Sequence, residues 1–373
     1  MAESTRLVDV VQERIDTFLG EQRPQLLAIA PDVESFARFS ADLLRGGKRF
    51  RALFCYWGWQ SVAGLEQSFD PLATAPDRDG LAAVMTASAG LEFFHAAALV
   101  HDDIMDRSDT RRGMPAAHRR FEELHRDGGW LGDAASFGTS GALLFGDLLL
   151  SWSDELISEA FDSLPSREAA RAARREFNRM RTEVTAGQFL DILEENAWGS
   201  VDDDQLLTRA QRVIVYKSAK YSVEAPLTIG AAMAGGTTKH LDALRHFGLP
   251  LGIAYQLRDD LLGVFGDPSV TGKPSGDDLR EGKRTVLIAT ARATLPGNAV
   301  RLLDELLGDP ELDDDQVAML QATIRDSGAV EAIEESIADQ VAKAKAAITS
   351  APLASSARSQ LSQLADTVTR RTY

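Results

Sequence analysis

Cysteine is almost absent from this 373-residue chain. Cys55 is the single example, which excludes an intramolecular disulfide and any zinc site built on cysteines. A lone thiol in a chain of ordinary globular composition is typical of a buried residue in a reducing compartment. We therefore expect Cys55 to be buried and the protein to be cytoplasmic.

Long uncharged apolar segments are also missing. The N-terminal sequence carries acidic residues early and lacks the apolar run of a secretory signal. No stretch of about 18 uncharged apolar residues occurs, and the best candidate, Gly141–Trp152, is short and contains Asp147. These features predict a protein without a transmembrane segment.

Positive charge is scarce, since 40 Lys and Arg residues face 56 Asp and Glu residues, for a net charge of −16. A field of that sign repels phosphate backbones, so nucleic acid is not an expected partner. An anionic substrate would require metal ions or a local basic cluster at its site.

Alternating strand patterns are not found, whereas helical periodicity runs through most of the chain. The segments with this periodicity are Leu81–Asp106, Gly138–Ser163, Arg167–Glu195, Asp204–Ala234, Leu241–Phe265, Thr285–Leu295, Asp313–Ser327, Ala329–Thr349 and Pro352–Thr369. The breaks rich in Gly, Pro and charge are Glu66–Gly80, Gly113–Ala135 and Gly266–Gly282. We expect an all-α fold, with residues 1–373 forming a single large helical domain.

The strongest local feature is an acidic group that ends the apolar segment Leu81–Asp106. Asp102 and Asp106 share one helix face, and Asp103 flanks it. Carboxylates so close together repel one another unless a cation lies between them. Oxygen-only ligands favour Mg²⁺ or Mn²⁺ over zinc. The alternative, an acidic helix end without a ligand, is disfavoured because acids oppose the helix dipole there.

A second acidic pair, Asp259 and Asp260, lies within another apolar helical segment. Charges in such a segment need partners. Arg258 could supply one of them by an ordinary ion pair. The functional interpretation is that two acidic helix faces look at each other across a cavity and hold a cluster of divalent ions.

Basic residues flank both acidic groups in this otherwise acidic chain. Lys and Arg together with backbone N–H groups at a helix start suit a phosphate. Having both metals and bases suggests two diphosphate sites. His95, two turns before Asp102, would by itself be typical of a core histidine. The flanking basic residues are Lys48, Arg49, Arg51, Arg111, Arg112, Lys217, Lys220, Lys273 and Lys283.

Six ordered motifs give the segment from about Leu43 to Thr285 a close resemblance to the trans-isoprenyl diphosphate synthases, or polyprenyl synthetase family. Two departures are Ser218, where the family has threonine, and Gly263, which replaces the last aspartate of the second aspartate-rich motif. No metal role is therefore carried over to position 263. The motifs are Gly46 to Arg51, Asp102 to Gly113, Gly187 to Asp191, Lys217-Ser218, Gln256 to Gly263, and the Gly-Lys run from Gly266 to Lys283.

This resemblance implies an all-helical fold around a central active-site cavity, a homodimer, and head-to-tail condensation of an allylic prenyl diphosphate with isopentenyl diphosphate. The residues implied to hold isopentenyl diphosphate are Lys48, Arg51, His95 and Arg112. Those implied to hold the allylic diphosphate are Arg111, Lys217, Lys273 and Lys283. The implied metal set is Asp102, Asp103, Asp106, Asp259 and Asp260, for three Mg²⁺ ions, with Mn²⁺ as a substitute.

Two further residues are expected to act on the reacting carbons. Breakage of the allylic C–O bond leaves an allylic cation and a highly charged leaving group, which Mg²⁺, Lys and Arg would stabilise. Ser218 and Gln256 can turn oxygen dipoles towards that cation. With Lys217, they form the predicted catalytic set.

Product length is inferred from the helix before Asp102. Ala97 and Ala98, one turn away, are too small to block a growing prenyl tail. Phe94, two turns away, would form a floor, and one turn of about 5.4 Å approximates one isoprene unit. This spacing predicts geranylgeranyl diphosphate (C20) from C5–C15 primers. Products of C15, or of C25 and longer, are the alternatives.

Two rival functions remain to be separated by experiment. A class I terpene cyclase needs one diphosphate site and normally carries a different second metal motif, which is not seen at Asp259-Asp260. A non-catalytic prenyl synthase subunit would tend to lose motif aspartates, most of which are intact here.

Overall fold

The computed structural model of the chain describes residues 2–64, 80–267 and 275–369. These residues form two compact units. Among the described residues, unit 1 comprises 2–64, 80–176, 226–241 and 353–357, and unit 2 comprises 177–225, 242–267, 275–352 and 358–369. The expectation of one domain stays a prediction, and each unit is described by itself.

Helices account for most of the described residues, which confirms the all-α prediction. The helices are α1 (Ala2–Ile29), α2 (Glu34–Leu43), α3 (Phe50–Ala63), α4 (Leu81–Met105), α5 (Ala117–Asp127), α6 (Ala134–Asp162), α7 (Arg167–Ala197), α8 (Asp203–Val213), a π-helix (Ile214–Glu224), α9 (Ala225–Met233), α10 (Thr238–Phe265), α11 (Asp277–Glu281), α12 (Val286–Thr294), α13 (Gly297–Leu306), α14 (Asp314–Asp326), α15 (Ala329–Thr349) and α16 (Ser355–Thr369). Short 3₁₀ turns cover Pro31–Val33 and Trp198–Ser200, and a small hairpin pairs β1 (Thr110–Arg111) with β2 (Met114–Pro115).

One predicted break was wrong, because the segment Gly113–Ala135 contains helix α5. Its apolar residues are few, but Ala117, Phe121 and Leu124 follow helical spacing, and arginine and glutamate are good helix formers. Packing of this apolar face adds to the stability of the helix. Phe121 and His125 are buried, and the ring of Phe121 contacts Phe39 and Phe145 from neighbouring helices.

The core of unit 1 is built around α4, which packs against α1, α3 and α6. Helix α3 lies against α9 so closely that a Cβ at Gly58 would come within 2.1 Å of the Leu227 carbonyl. Only glycine permits that approach. Cys55, in the same helix, is fully buried, as expected, and burial raises the pKa of its thiol to about 12.

Two helices of unit 1, α4 and α6, are long and apolar enough to cross a membrane by length and composition alone. In α4, 83% of the most apolar window is buried inside the protein, so its apolar character belongs to the core. In α6 only 28% of that window is buried. Helix α6 therefore presents an apolar face that unit 1 does not cover.

The core of unit 2 surrounds α10 and the π-helix. A Cβ at Gly187 of α7 would lie 2.4 Å from the backbone nitrogen of Lys217, and one at Gly252 of α10 would lie 2.5 Å from the carbonyl of Ala219. The π-helix is thus wedged between two helices at glycine contacts. Because π-helical turns occur mostly as short segments at functional sites, residues 217–219 lie where a site is expected.

Candidate active site

In unit 1, the acidic group lies at the C-terminal end of α4. Asp103 is almost fully buried, and its Oδ1 accepts a hydrogen bond from Nε of Arg111 at 2.9 Å. A second nitrogen of the same guanidinium lies 3.8 Å from Oδ2 of Asp102. Arg111 therefore neutralises part of the negative charge of the aspartates that were predicted to bind metal. It also fixes the orientation of Asp103.

A tight hairpin turn positions both arginines of this motif. Arg112 has a φ of +55° and Gly113 a φ of +74°, the left-handed pair of a type I′ two-residue turn. The turn sends Arg111 back towards α4. Arg112 instead reaches Leu43, whose carbonyl accepts its hydrogen bond at 3.4 Å. Burial lowers the pKa of Arg112, and the neighbouring carboxylate of Glu92 opposes that shift.

Four guanidinium groups surround His95 in the same unit. Burial, followed by the charges of Arg51, Arg112, Arg111 and Arg49, holds the pKa of His95 well below its usual range. The imidazole is therefore neutral near pH 7 and can donate one hydrogen bond without adding charge. Positive charge is thus concentrated near His95 in a chain of net charge −16, although Arg49 and Arg111 pair with Glu92 and Asp103.

In unit 2, Asp260 of α10 is buried and carries a strongly perturbed carboxyl group. Burial raises its pKa to about 8, against the hydrogen bond that Gln256 donates to Oδ1 at 2.8 Å. The nearby carboxylates of Asp278, Asp259 and Asp191 raise it further. Sequence reasoning gave no role to Asp278 or Asp191. Asp191 was recognised only as the last residue of the motif from Gly187 to Asp191.

This carboxyl group should make the metal-free protein less stable as the pH rises from about 5 to 8. The unfolded chain releases the Asp260 proton near pH 4, whereas the native carboxyl holds it to about pH 8. Above pH 4 the native state binds more protons, so the free energy of unfolding falls by up to about 1.4 kcal/mol per pH unit. Urea unfolding in EDTA between pH 5 and pH 8 measures the slope.

Two variants test the origin of that slope. Asp260→Asn has no proton to release and should give a flatter profile, whereas Asp315→Asn, which changes an exposed carboxylate of α14, should keep the wild-type slope. Parallel profiles for wild type and Asp260→Asn would contradict the assignment.

The departure at Gly263 has a geometric explanation. A Cβ at this position would lie 1.9 Å from Oδ2 of Asp278, so the Asp278 carboxylate occupies the space beside the glycine. Asp278 lies on α11, after residues 268–274, which fall outside the described part of the chain. An acidic group is therefore present beside α10 although the motif aspartate is missing.

The π-helix presents Lys217 towards α7, where it donates a short hydrogen bond to Asp191. Lys220, one turn later, pairs with Glu183 at 2.7 Å. Ser218 is half-buried. Both lysines thus have carboxylate partners in unit 2, and an anionic ligand of Lys217 would share it with Asp191.

The remaining predicted residues of unit 2 divide into three cases. Lys273 lies outside the described residues. Lys283 lies 3.1 Å from Glu281, and its backbone N–H donates to the Asp278 carbonyl. Arg258 has a strong partner outside its own motif, on helix α15. It forms two 2.6 Å hydrogen bonds to Glu334 and also donates to the Thr369 carbonyl.

The residues fit a hard divalent cation. Oδ2 of Asp260 is buried, and no donor in the described residues lies within hydrogen-bonding distance of it. All the candidate ligands are carboxylate oxygens, which Mg²⁺ prefers. Within residues 2–64, 80–267 and 275–369, no three acidic or histidine groups converge closely enough to enclose an ion. Bound Mg²⁺ would therefore take its other ligands from water and substrate phosphate, as is usual for this ion.

Comparison with known proteins identifies a family and several relatives of this chain. The model of the family described as polyprenyl synthetase matches residues 33–324. Geranylfarnesyl diphosphate synthase of Aeropyrum pernix is 31% identical over 87% of this chain and 90% of its own length. Geranylgeranyl diphosphate synthase of Methanosarcina mazei is 30% identical over 76% of this chain and 75% of its own.

A solved structure extends the likeness to the whole fold. Geranylgeranyl pyrophosphate synthase from Corynebacterium glutamicum, complexed with isoprenyl diphosphate and magnesium, is 38% identical and superposes with a TM-score of 0.88. The match covers 98% of this chain and 99% of that one.

Proposed function

The chain belongs to the polyprenyl synthetase family, and we propose that this trans-prenyltransferase condenses isopentenyl diphosphate with a C5–C15 allylic diphosphate to give geranylgeranyl diphosphate. The proposal includes three Mg²⁺ ions, replaceable by Mn²⁺, a homodimeric enzyme and a cytoplasmic location.

The observation that carries the proposal is the arginine cluster around His95. Its arginines would supply positive charge for one diphosphate without a metal ion. The acidic groups on α4 and α10 have the opposite character and suit a diphosphate that arrives with Mg²⁺. Two diphosphates bound by two different chemistries match a reaction with two diphosphate substrates.

When bound, Mg²⁺ would stabilise the negative charge that develops on the allylic diphosphate as it leaves. Asp102, Asp106 and Asp259 would hold the ions, with Asp103 and Asp260 supporting them. Lys217, Lys283 and Arg111 each lie beside a carboxylate in the structure. They would bind the diphosphate oxygens while those carboxylates keep them oriented, and Lys273 would join them.

Two polar side chains would act on the allylic carbon skeleton. Gln256 donates its amide N–H to Asp260, which leaves the amide oxygen as the atom to face a developing cation. Ser218 adds a hydroxyl on the π-helix. The alkene of isopentenyl diphosphate attacks the cation, and a proton then leaves the new chain, with the released diphosphate as its acceptor.

The C20 product is supported by the side chains before Asp102. Phe94 is buried, Ala97 is fully buried, and Ala98 is half-buried. In this proposal the small alanines would leave room for the tail along one turn, and the phenylalanine would stop it at the next. Relatives named for geranylgeranyl and for geranylfarnesyl products are similarly close in sequence, so product length depends on such local features.

Labelled isopentenyl diphosphate incubated with C5, C10 or C15 primers and Mg²⁺ tests the proposal directly. We expect elongation to C20, sized by chromatography, and no reaction of the primer alone beyond slow hydrolysis. Cyclised hydrocarbon from primer alone would identify a terpene cyclase, and no turnover of either substrate would identify a non-catalytic subunit. Predominant C15 or C25 product would leave the reaction class intact and contradict the product assignment.

The exposed face of α6 supports the homodimer. Phe137, Leu143 and Leu144 are 37%, 51% and 59% exposed. Trp130 and Leu131, just before the helix, extend the same apolar region. Apolar patches of this kind mark interaction surfaces, and a second copy of the chain would cover this one.

Replacing Leu143 and Leu144 together by glutamate is expected to convert the dimer to monomer. Two charges at the centre of an apolar contact would be buried without partners, which disfavours association. Sedimentation velocity on the full chain measures the change. Leu302→Glu, at an exposed leucine of α13, is the matched control and should stay dimeric. A wild-type monomer, or a dimer that survives the double change, would contradict the assignment.

A further inference from the structure

We propose that Gln12 of α1 and Glu92 of α4 are positioning residues for the isopentenyl diphosphate site, and that they act by holding Arg49. Through Arg49 they fix the loop that carries Lys48 and the first turn of α3, which carries Arg51. The inference rests on the proposed function, because it assigns that loop to isopentenyl diphosphate.

The loop before α3 has an unusual backbone. Gly46 and Gly47 have φ values of +70° and +94°, and Arg49, at the N-cap of α3, has a φ of +49°. A non-glycine residue in the left-handed region is uncommon, and such strain persists only where the surroundings impose it. The loop therefore needs contacts from outside itself to keep Lys48 in place.

The side chain of Arg49 supplies those contacts. It points away from solvent and is 2% exposed. Its guanidinium donates to Oε2 of Glu92 at 2.9 Å, to Oε1 of Gln12 at 2.7 Å and to the Leu44 carbonyl. The arginine is thus anchored by three different elements of unit 1.

Gln12 holds both ends of the loop. Its single oxygen accepts from Arg49 and also from the backbone N–H of Gly46 at 3.3 Å. Helix α1 carries no recognisable motif, so sequence reasoning gave its residues no role beyond packing. This contact gives α1 a direct connection to the substrate loop.

Glu92 holds the start of α3 and balances charge in the cluster. Its Oε1 lies 3.4 Å from the backbone nitrogen of Ala52, in the first turn of α3. It is 4% exposed and lies one turn before His95 on α4. By pairing with Arg49, Glu92 cancels a buried positive charge within the arginine cluster.

A positioning role makes a prediction that a purely structural role does not. Loss of the Gln12 contacts should disorder the loop that binds one substrate and leave the other substrate's residues unchanged. In Gln12→Ala we expect the KM for isopentenyl diphosphate to rise about tenfold, equivalent to about 1.4 kcal/mol. The KM for the allylic primer and kcat should stay within about twofold.

The matched control is Gln22→Ala. Gln22 lies on the same helix, is 7% exposed and donates to Glu155 at 3.3 Å, away from the loop. It should lower the melting temperature as Gln12→Ala does, without changing either KM. Gln12→Glu keeps the acceptor oxygen and should restore the KM for isopentenyl diphosphate to within about threefold of wild type.

Glu92 is tested with the conservative variant, because truncation would leave Arg49 buried without its charge partner and could prevent folding. Glu92→Gln keeps an acceptor for the Ala52 N–H and removes the charge. We expect the same selective rise in the KM for isopentenyl diphosphate. If Glu92→Gln does not fold, the Gln12 series decides the question.

A calorimetric titration of the protein with isopentenyl diphosphate, in the absence of primer, separates this proposal from the proposed function. Wild-type binding without elongation would contradict only the proposed function. Equal affinities for wild type and Gln12→Ala would overturn only the positioning role, and so would equal rises in both KM values. No binding to the wild type would overturn both.

Discussion

Asp102→Asn is expected to lower kcat by about 1000-fold or more at saturating substrate. Removal of one preorganised group that stabilises transition-state charge typically costs 10²- to 10³-fold, and a metal ligand contributes at least as much. Asparagine keeps the shape of aspartate and removes the charge that attracts Mg²⁺. Steady-state kinetics with farnesyl diphosphate as primer, over a range of Mg²⁺ concentrations, measures the loss.

A nearby aspartate provides the control. Asp109 is 61% exposed and pairs with Arg119 at 2.7 Å, so Asp109→Asn removes the same charge from the same region. It should leave kcat within about twofold, as surface substitutions usually do. Calorimetric titration of Mg²⁺ with a non-hydrolysable diphosphate should show weaker binding for Asp102→Asn alone. A loss below about tenfold at saturating Mg²⁺ would contradict the metal assignment.

The structure distinguishes Asp103 from Asp102 in a way the motif does not. Both were assigned to metal, yet Asp103 is buried and bonded to Arg111, whereas the Asp102 side chain is 17% exposed and 3.8 Å from the same guanidinium. Asp103 is therefore suited to orient Arg111 and the end of α4. Asp102 is the better placed of the two to contact an ion directly.

Much of the fold was predictable because apolar periodicity dominates the long helices. The segment Leu81–Asp106 ends within one residue of α4, and Ala329–Thr349 coincides with α15. The segment Asp204–Ala234 was predicted as one continuous helix, but its centre is π-helical. The i→i+5 hydrogen bonding of a π-helix is not signalled by the residue types of this segment. The π-helix is packed against the backbone at Gly187 and Gly252, and both glycines are distant from it in sequence.

In the candidate site, too, some residues could be predicted from the sequence and others could not. Motif residues such as Asp260 and Lys217 could be read from spacing, because their chemistry is encoded in the residue types themselves. The residues that contact them in the folded protein could not be predicted in this way. Arg258 pairs with Glu334, 76 residues away, and Asp278 fills the space beside Gly263 only because α11 lies against α10. Pairings over such separations are set by tertiary packing, which no local pattern records.

Phe94→Ala is expected to shift the main product from C20 to C25 or longer. Phe94 is 6% exposed on α4, lies two turns before the acidic group, and is the first large apolar residue on the N-terminal side of Ala97 and Ala98. Its removal opens roughly one further helical turn, about 5.4 Å, which approximates one isoprene unit. Chromatography of the dephosphorylated products with a farnesyl primer gives the chain-length distribution.

The neighbouring residue makes the experiment specific. Phe93 is fully buried against Phe18 and Trp152, with ring centroids 5.3 Å and 6.2 Å away, so it belongs to the aromatic core between α1, α4 and α6. Phe93→Ala should destabilise the protein by about 3–5 kcal/mol, as large-to-small core changes do, and leave the product at C20. Phe94→Leu, which removes less volume, should give a smaller shift. A C20 product from Phe94→Ala, or longer chains from Phe93→Ala, would place the floor elsewhere.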